Sequence, residues 1–208
     1  MFQAVVSVIA IMLSALALVV SAVTAWLTLF RRGQLKMTRP TMIALVQDDT
    51  EAWSDRCQKV VIRAMLFSTS RRGQVIENLH AVLQHESTSA PLALWAYGET
   101  TALQRGGGLF VGPEGLAVYH HFCLLYDAQI HEYRSGPLML TIFATVLGRK
   151  QLVRLADCTV ELDDKLAAAV NSKNAGVMFN WNPESGEYVP EVKSRPGSGV
   201  LLGPTVGS

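Results

Sequence analysis

From Phe2 to Phe30 the chain runs for twenty-nine residues without an Asp, Glu, Lys or Arg, and Arg31 and Arg32 follow at once. An apolar run of more than about 18 residues is long enough to cross a bilayer as a helix. A secretory signal differs from it in having a charged start, an apolar centre of about 7 to 15 residues and a small-x-small cleavage site. Met1, Phe2 and Gln3 carry no charged side chain and the run is about twice too long, so an uncleaved signal-anchor helix over residues 1–30 is expected. Arg31, Arg32, Lys36 and Arg39 all lie on its C-terminal flank. The flank richer in Lys and Arg stays in the cytoplasm. The short N-terminus is therefore expected outside and everything after the helix in the cytoplasm. The same four cations are expected to meet lipid headgroups of the bilayer.

Small residues within this run are ordered. Ser7, Ala10, Ser14, Ala17, Ser21, Thr24 and Thr28 recur at alternating spacings of three and four, a seven-residue repeat that lays them along one stripe. Lipid tails are as apolar as Leu, so helices in a bilayer associate through close backbone approach and interhelical hydrogen bonds, which small and hydroxyl residues permit. A seven-residue period predicts a left-handed pair or bundle. The seam predicts self-association or docking on a partner helix, hence a homo- or hetero-oligomer.

Residues 31–40 read as a basic juxtamembrane linker, with Pro40 opening a domain over 41–193. A chain of 208 residues has room for one such domain of roughly 100 to 150 residues beside the helix. Of the 18 basic residues, 14 follow residue 40 and face all 17 acids, a net of −3. A nucleic-acid partner calls for a basic face and is not expected. Cys57, Cys123 and Cys158 are odd in number and lack the close spacing of a zinc or redox pair. They are expected reduced and buried.

The domain reads as strands. Met42 to Val46 is a short apolar run, and Trp53 in the loop beyond it reads as a lid on the core. In Val60 to Phe67 one face is wholly apolar: Val60, Ile62, Ala64 and Leu66. Period two of this kind marks a core strand. Val75 to Glu86 is taken as a strand burying Val75, Leu79, Ala81 and Leu83, with Glu77 a misfit. Ser87 to Pro91 is read as a break before Leu92 to Tyr97, where Trp95 and Tyr97 share a face. Arg105-Gly106-Gly107-Gly108 lacks the Lys-Ser/Thr ending of a phosphate loop and reads as a turn. Leu109 to Val111 and Leu116 to Leu125 are strands separated by the reversal Gly112-Pro113-Glu114-Gly115.

His120 and His121 are adjacent on a strand, so their side chains point to opposite faces and cannot bind one metal together. A metal site would need one of them with His80, His85 or His131. A core histidine is the plainer expectation, with His80, His120 and His121 kept as weak metal candidates. Leu138, Leu140, Ile142, Ala144 and Val146 form another apolar face, followed by a hairpin turn at Gly148-Arg149 and a returning strand to Leu162 with a bulge near Ala156. The arrangement Tyr133-x-x-Gly136 before an alternating strand and hairpin resembles the late strands of immunoglobulin-like sandwiches, where a tyrosine ties down the corner. That resemblance implies a mainly-β, antiparallel β-sandwich domain. Asp163 and Asp164 predict the start of a short helix. Val177 to Trp181 and Tyr188-Val189 predict an edge hairpin. The Gly- and Pro-rich residues 194–208 predict a disordered tail.

No Ser/His/Asp or Cys/His arrangement, H-E-x-x-H or Walker motif occurs. No catalytic residue and no cofactor is therefore expected. Two functional classes remain. One is a single-pass membrane-anchored interaction module, adaptor or assembly subunit, engaging protein partners through the helix and the β-domain. The other is a membrane-tethered sensor that binds a small molecule or metal through the histidine strands.

Overall fold

The computed structural model describes residues 2–27, 33–48, 57–99, 102–105, 108–124, 132–172 and 175–194. Thr28, Arg31, Arg32, Trp53, His131 and the tail after Ser194 lie outside the described residues. The apolar run forms helix α1 (Phe2–Ala25). It contains neither Gly nor Pro, and a helix bonds its own backbone polar groups, as an apolar surrounding requires. None of its residues is buried.

Among the described residues twelve strands follow: β1 (Leu35–Met37), β2 (Met42–Asp48), β3 (Cys57–Ser68), β4 (Gln74–His85), β5 (Thr88–Gly98), β6 (Gln104–Arg105), β7 (Leu109–Val111), β8 (Leu116–Leu124), β9 (Gly136–Val146), β10 (Val153–Leu162), β11 (Ala175–Asn182) and β12 (Glu187–Ser194). A helix, α2 (Asp164–Asn171), lies between β10 and β11. All strands join one antiparallel sheet in the order β10-β9-β4-β5-β8-β3-β2-β11-β12. Strand β1 takes the place of β2 beside the far end of β3, and β7 takes the place of β5 beside the near end of β4. The sheet curls into a nearly closed barrel. Its two edges approach at Tyr188 of β12, whose hydroxyl donates to the Pro40 carbonyl at 2.8 Å and lies beside the Cys158 thiol of β10. Helix α2 packs on β2, β10 and β11 near that line.

The interior is lined by the alternating residues of the central strands. Val60, Ile62, Ala64 and Leu66 of β3 and Leu138, Leu140, Ile142, Ala144 and Val146 of β9 are all buried, and Phe122 of β8 stands among them. Each such aliphatic or aromatic side chain contributes about 1.5–3 kcal/mol on burial. Asp163 caps α2, its carboxylate accepting from the Leu166 amide at 2.7 Å, so Ala167 and Val170 turn toward the core.

Several expectations need correction. The immunoglobulin-like sandwich is not found, because β5 pairs with both β4 and β8 and so joins what would be two sheets into one. Tyr133 is buried, but Asn171 holds it through its backbone, accepting from the Tyr133 amide at 3.1 Å and donating to its carbonyl at 2.7 Å. The expected break at Ser87 to Pro91 shrinks to a turn at Glu86-Ser87, and Pro91 lies within β5. On the β4 side Pro91 pairs with Val82, and on the β8 side the described register ends at Leu92. The linker reading fails over Leu35–Met37, which forms β1 with Leu35 buried. The hairpin after β9 is also longer than two residues, since β10 begins only at Val153.

Two bulges reverse the phase of a strand. One lies between Ile76 and Asn78, so the misfit Glu77 is the inserted residue. Ile76 and not Val75 then faces the core. The second lies between Leu94 and Ala96. Trp95 faces outward by alternation from the inward Leu94, and the bulge brings Tyr97 round to the core, so those two rings do not share a face. The bulge expected near Ala156 is present between Arg154 and Ala156.

Candidate functional site

Two regions carry chemistry: α1 with the barrel end that receives it, and the histidine strands. Ser7, Ala10, Ser14, Ala17, Ser21 and Thr24 are all exposed along α1, whereas Thr28 is not among the described residues. Ser7 donates to the Gln3 carbonyl at 3.0 Å, Ser14 to Ala10 at 2.9 Å and Thr24 to Val20 at 2.8 Å. These hydroxyl protons are used within their own helix. What the seam offers a neighbouring helix is small volume and oxygen lone pairs.

The chain joins the barrel at Gly33. The Gln34 amide donates to the Thr69 hydroxyl at 2.7 Å, the Thr69 amide donates to the Gln34 carbonyl at 2.9 Å, and the Arg149 guanidinium donates to the Gly33 carbonyl. A Cβ at Gly33 would collide with the Ser70 backbone, so only glycine permits this approach. Strand β1 then pairs with Leu66–Ser68. The end of the barrel formed by the β3–β4 and β9–β10 turns is thereby the end at which the chain enters it. Of the cations expected at headgroups, Lys36 is exposed on β1, while the Arg39 guanidinium lies over the Trp181 ring at 4.0 Å. Arg31 and Arg32 lie outside the described residues.

The histidines do not converge. His80 is half-buried on the outer face, stacked on Phe143 with ring centroids 5.4 Å apart. His120 faces the interior beside Ile62 and Tyr97, and His121 faces outward beside Val61 and Ala96. The opposite-face geometry expected from adjacency therefore holds, and no cluster of metal-ligating residues occurs among the described residues. Burial pushes the His120 imidazole down to about 4, helped by the neighbouring His121 and opposed by the Val118 backbone. Burial and then Lys59 bring His121 to about 4 as well, and burial lowers His80. All three are neutral near pH 7. His120 is fully buried, and the Val118 backbone is the one hydrogen-bonding group beside its ring, so the imidazole is a core histidine with at most one of its two nitrogens engaged.

A further outer-face group has no counterpart in the sequence pattern. Trp95 receives the Lys59 ammonium at 4.6 Å and the Arg105 guanidinium at 5.0 Å from its ring centroid. Trp95 faces outward by plain alternation from Leu92 and Leu94, and the two cations reach it from the other strands β3 and β6. Cys123 and Cys158 are buried, as expected, while the side chain of Cys57 is not described. No protein-family profile matches the chain, and no curated protein is detectably similar to it in sequence.

Proposed function

We propose that this chain is a single-pass membrane-anchored interaction module, an adaptor or assembly subunit whose barrel lies at the cytoplasmic face and whose α1 docks on a partner helix through its small-residue seam. The observation that carries the reading is the state of α1. It has 24 residues of mean hydropathy 2.7 and the barrel buries none of them. At 1.5 Å per residue such a helix is about 36 Å long, against a hydrocarbon core of about 30 Å. A signal sequence meets the same test of length and hydropathy. Absence of charge at residues 1–3 and the cations after residue 30 favour the anchor and its orientation.

Two measurements on the full chain test this. Intact mass of the protein from carbonate-washed membranes is expected to include residues 1–30, and a shorter species refutes the anchor. A thiol probe that cannot cross membranes is expected to miss a cysteine at Ser87→Cys in intact cells and to label it after lysis. Labelling of intact cells refutes the orientation.

The sensor reading keeps one specific support, the interior imidazole of His120, which has only the Val118 backbone beside it and so keeps a ring nitrogen able to accept or donate a bond. A ligand satisfying that nitrogen would raise the thermal midpoint of the protein, because binding to the native state alone stabilises it. A flat screen of metals and metabolites removes that reading.

A further inference from the structure

The barrel end that receives the chain from α1 carries an exposed apolar row. Val75 of β4 pairs with Phe110 of β7, and the Leu147 amide donates to the Val75 carbonyl at 2.9 Å on the other side. These three neighbours lie side by side on the outer face, exposed by 39%, 65% and 59% respectively, and Leu152 in the same β9–β10 turn is exposed by 50%. The row is built by local geometry. The bulge at Glu77 turns Val75 outward, and the Phe110 ring lies over Gly73, where a Cβ would meet its ring carbons. Gly73 has a φ of +68°, so a side chain is disfavoured there twice over.

Cations flank the row. Arg71 and Arg72 in the β3–β4 turn and Lys150 in the β9–β10 turn are exposed and make no ion pair among the described residues. Arg149 points to Gly33, where the chain arrives from α1. The nearby acids are Glu77 and Glu114. Six peptide steps separate Leu27 from Gly33, a reach of at most about 20 Å. An apolar row rimmed by cations and leashed within that distance of a membrane helix has the composition of an interfacial membrane contact, in which apolar side chains enter the headgroup region and Lys and Arg meet anionic lipid. Other exposed apolar residues do not form such a row: Val189 and Val192 point to opposite faces of the edge strand β12.

We propose that this end of the barrel rests on the anionic bilayer surface, with Phe110, Leu147 and Val75 entering the interface and Arg71, Arg72 and Lys150 meeting lipid phosphates. The proposal rests on the anchor reading above and adds to it a defined orientation of the barrel on the membrane.

The test uses the full chain in nanodiscs of phosphatidylcholine with phosphatidylglycerol. In a Cys57→Ser background, with Cys123 and Cys158 shielded by burial, an environment-sensitive fluorophore is placed at Phe110→Cys, Leu147→Cys, Ser14→Cys or Ser87→Cys. Ser87 sits at the far end of the twelve-residue β4, about 35 Å along the strand from the patch. Labels at 110 and 147 are expected to shift to the blue and to be quenched by nitroxide near the headgroups, the label at 14 by nitroxide at the bilayer centre, and the label at 87 by neither. Reversing Arg71, Arg72 and Lys150 to Glu is expected to lower the docked-to-undocked ratio at least about fivefold per position. If the labels at 110 and 147 behave like the one at 87 while 14 is quenched, the orientation is overturned and the anchor stands. An unquenched label at 14 overturns the anchor itself. A blue shift at 110 and 147 without quenching places a second copy of the chain on the row and overturns the lipid contact, as does quenching that survives the charge reversal.

Discussion

Acid should weaken the barrel through His120, and a single substitution should remove that group's share of the sensitivity, leaving the share of His121. The imidazole is fully buried, is held near 4 and has only the Val118 backbone as a hydrogen-bonding neighbour. In the unfolded chain a histidine takes up its proton near 6.5, while the folded barrel resists until about 4. Between those values the unfolded state binds more protons, so stability rises with pH across the window and falls as the solution is acidified through it. The displacement corresponds to about 3 kcal/mol lost between pH 7 and pH 4 from this one group. His120→Leu, of similar volume, should abolish that share. At pH 7 it should leave the barrel as stable as before or stabilise it by up to about 2 kcal/mol, because a buried ring nitrogen without a bond is exchanged for apolar atoms while the contact with the Val118 backbone is lost. Denaturant unfolding of the full chain in mild detergent, followed by tryptophan fluorescence at pH 7.5, 6, 5 and 4.5, gives both quantities from the difference between wild type and variant. Carboxylates titrate alike in the two proteins and cancel. A variant that is less stable at pH 7.5 and keeps the wild-type pH slope refutes the reasoning, because it would mean that the imidazole has a partner that favours its native state.

Phe122→Ala, in the middle of the barrel, should cost about 3–5 kcal/mol, read as a lower denaturant midpoint at unchanged slope. Asn171→Ala removes both bonds that hold the Tyr133 backbone and should cost about 2 kcal/mol; the same titration measures it, and a change near zero would show that the clamp is idle. In the membrane, replacing Ser14, Ala17 and Ser21 together by Leu should abolish helix association in a membrane two-hybrid assay, since bulky side chains prevent close backbone approach. An unchanged signal would discard the seam.

Much of the barrel can be read from the chain where alternation is uninterrupted. Strands β3 and β9 show their core faces residue by residue, and Asp163 announces α2. What escapes is set by register. Whether β5 bridges β4 and β8, and so makes one sheet instead of two, depends on pairings between residues as distant as Leu94 and Phe122. No local pattern encodes them. Single inserted residues have large effects for the same reason: Glu77 and Trp95 each shift a strand by one position, and a shift of one exchanges its faces. The helix is wholly legible, since length and polarity alone define it. The apolar row at its foot is hidden, because Val75 belongs to a core face by alternation and only the bulge beyond it turns it out. The interior place of His120 follows from its register with Ile62 and Tyr97, whereas its apolar surroundings are supplied by several strands at once.

Along the line where the two edges of the sheet approach, the barrel is laced by side chains, Tyr188 to Pro40 and beside Cys158, and no ladder of backbone bonds joins β10 to β12 among the described residues. A ladder opens only when many bonds break together, but a lacing of a few contacts can come undone singly. Local opening should therefore begin here. Amide protons of β12 should exchange with solvent first and those of β4, bonded to strands on both sides, among the last. The wall of this barrel has a hinge side and a latch side, and any molecule that reaches its interior has the latch as the line of least resistance.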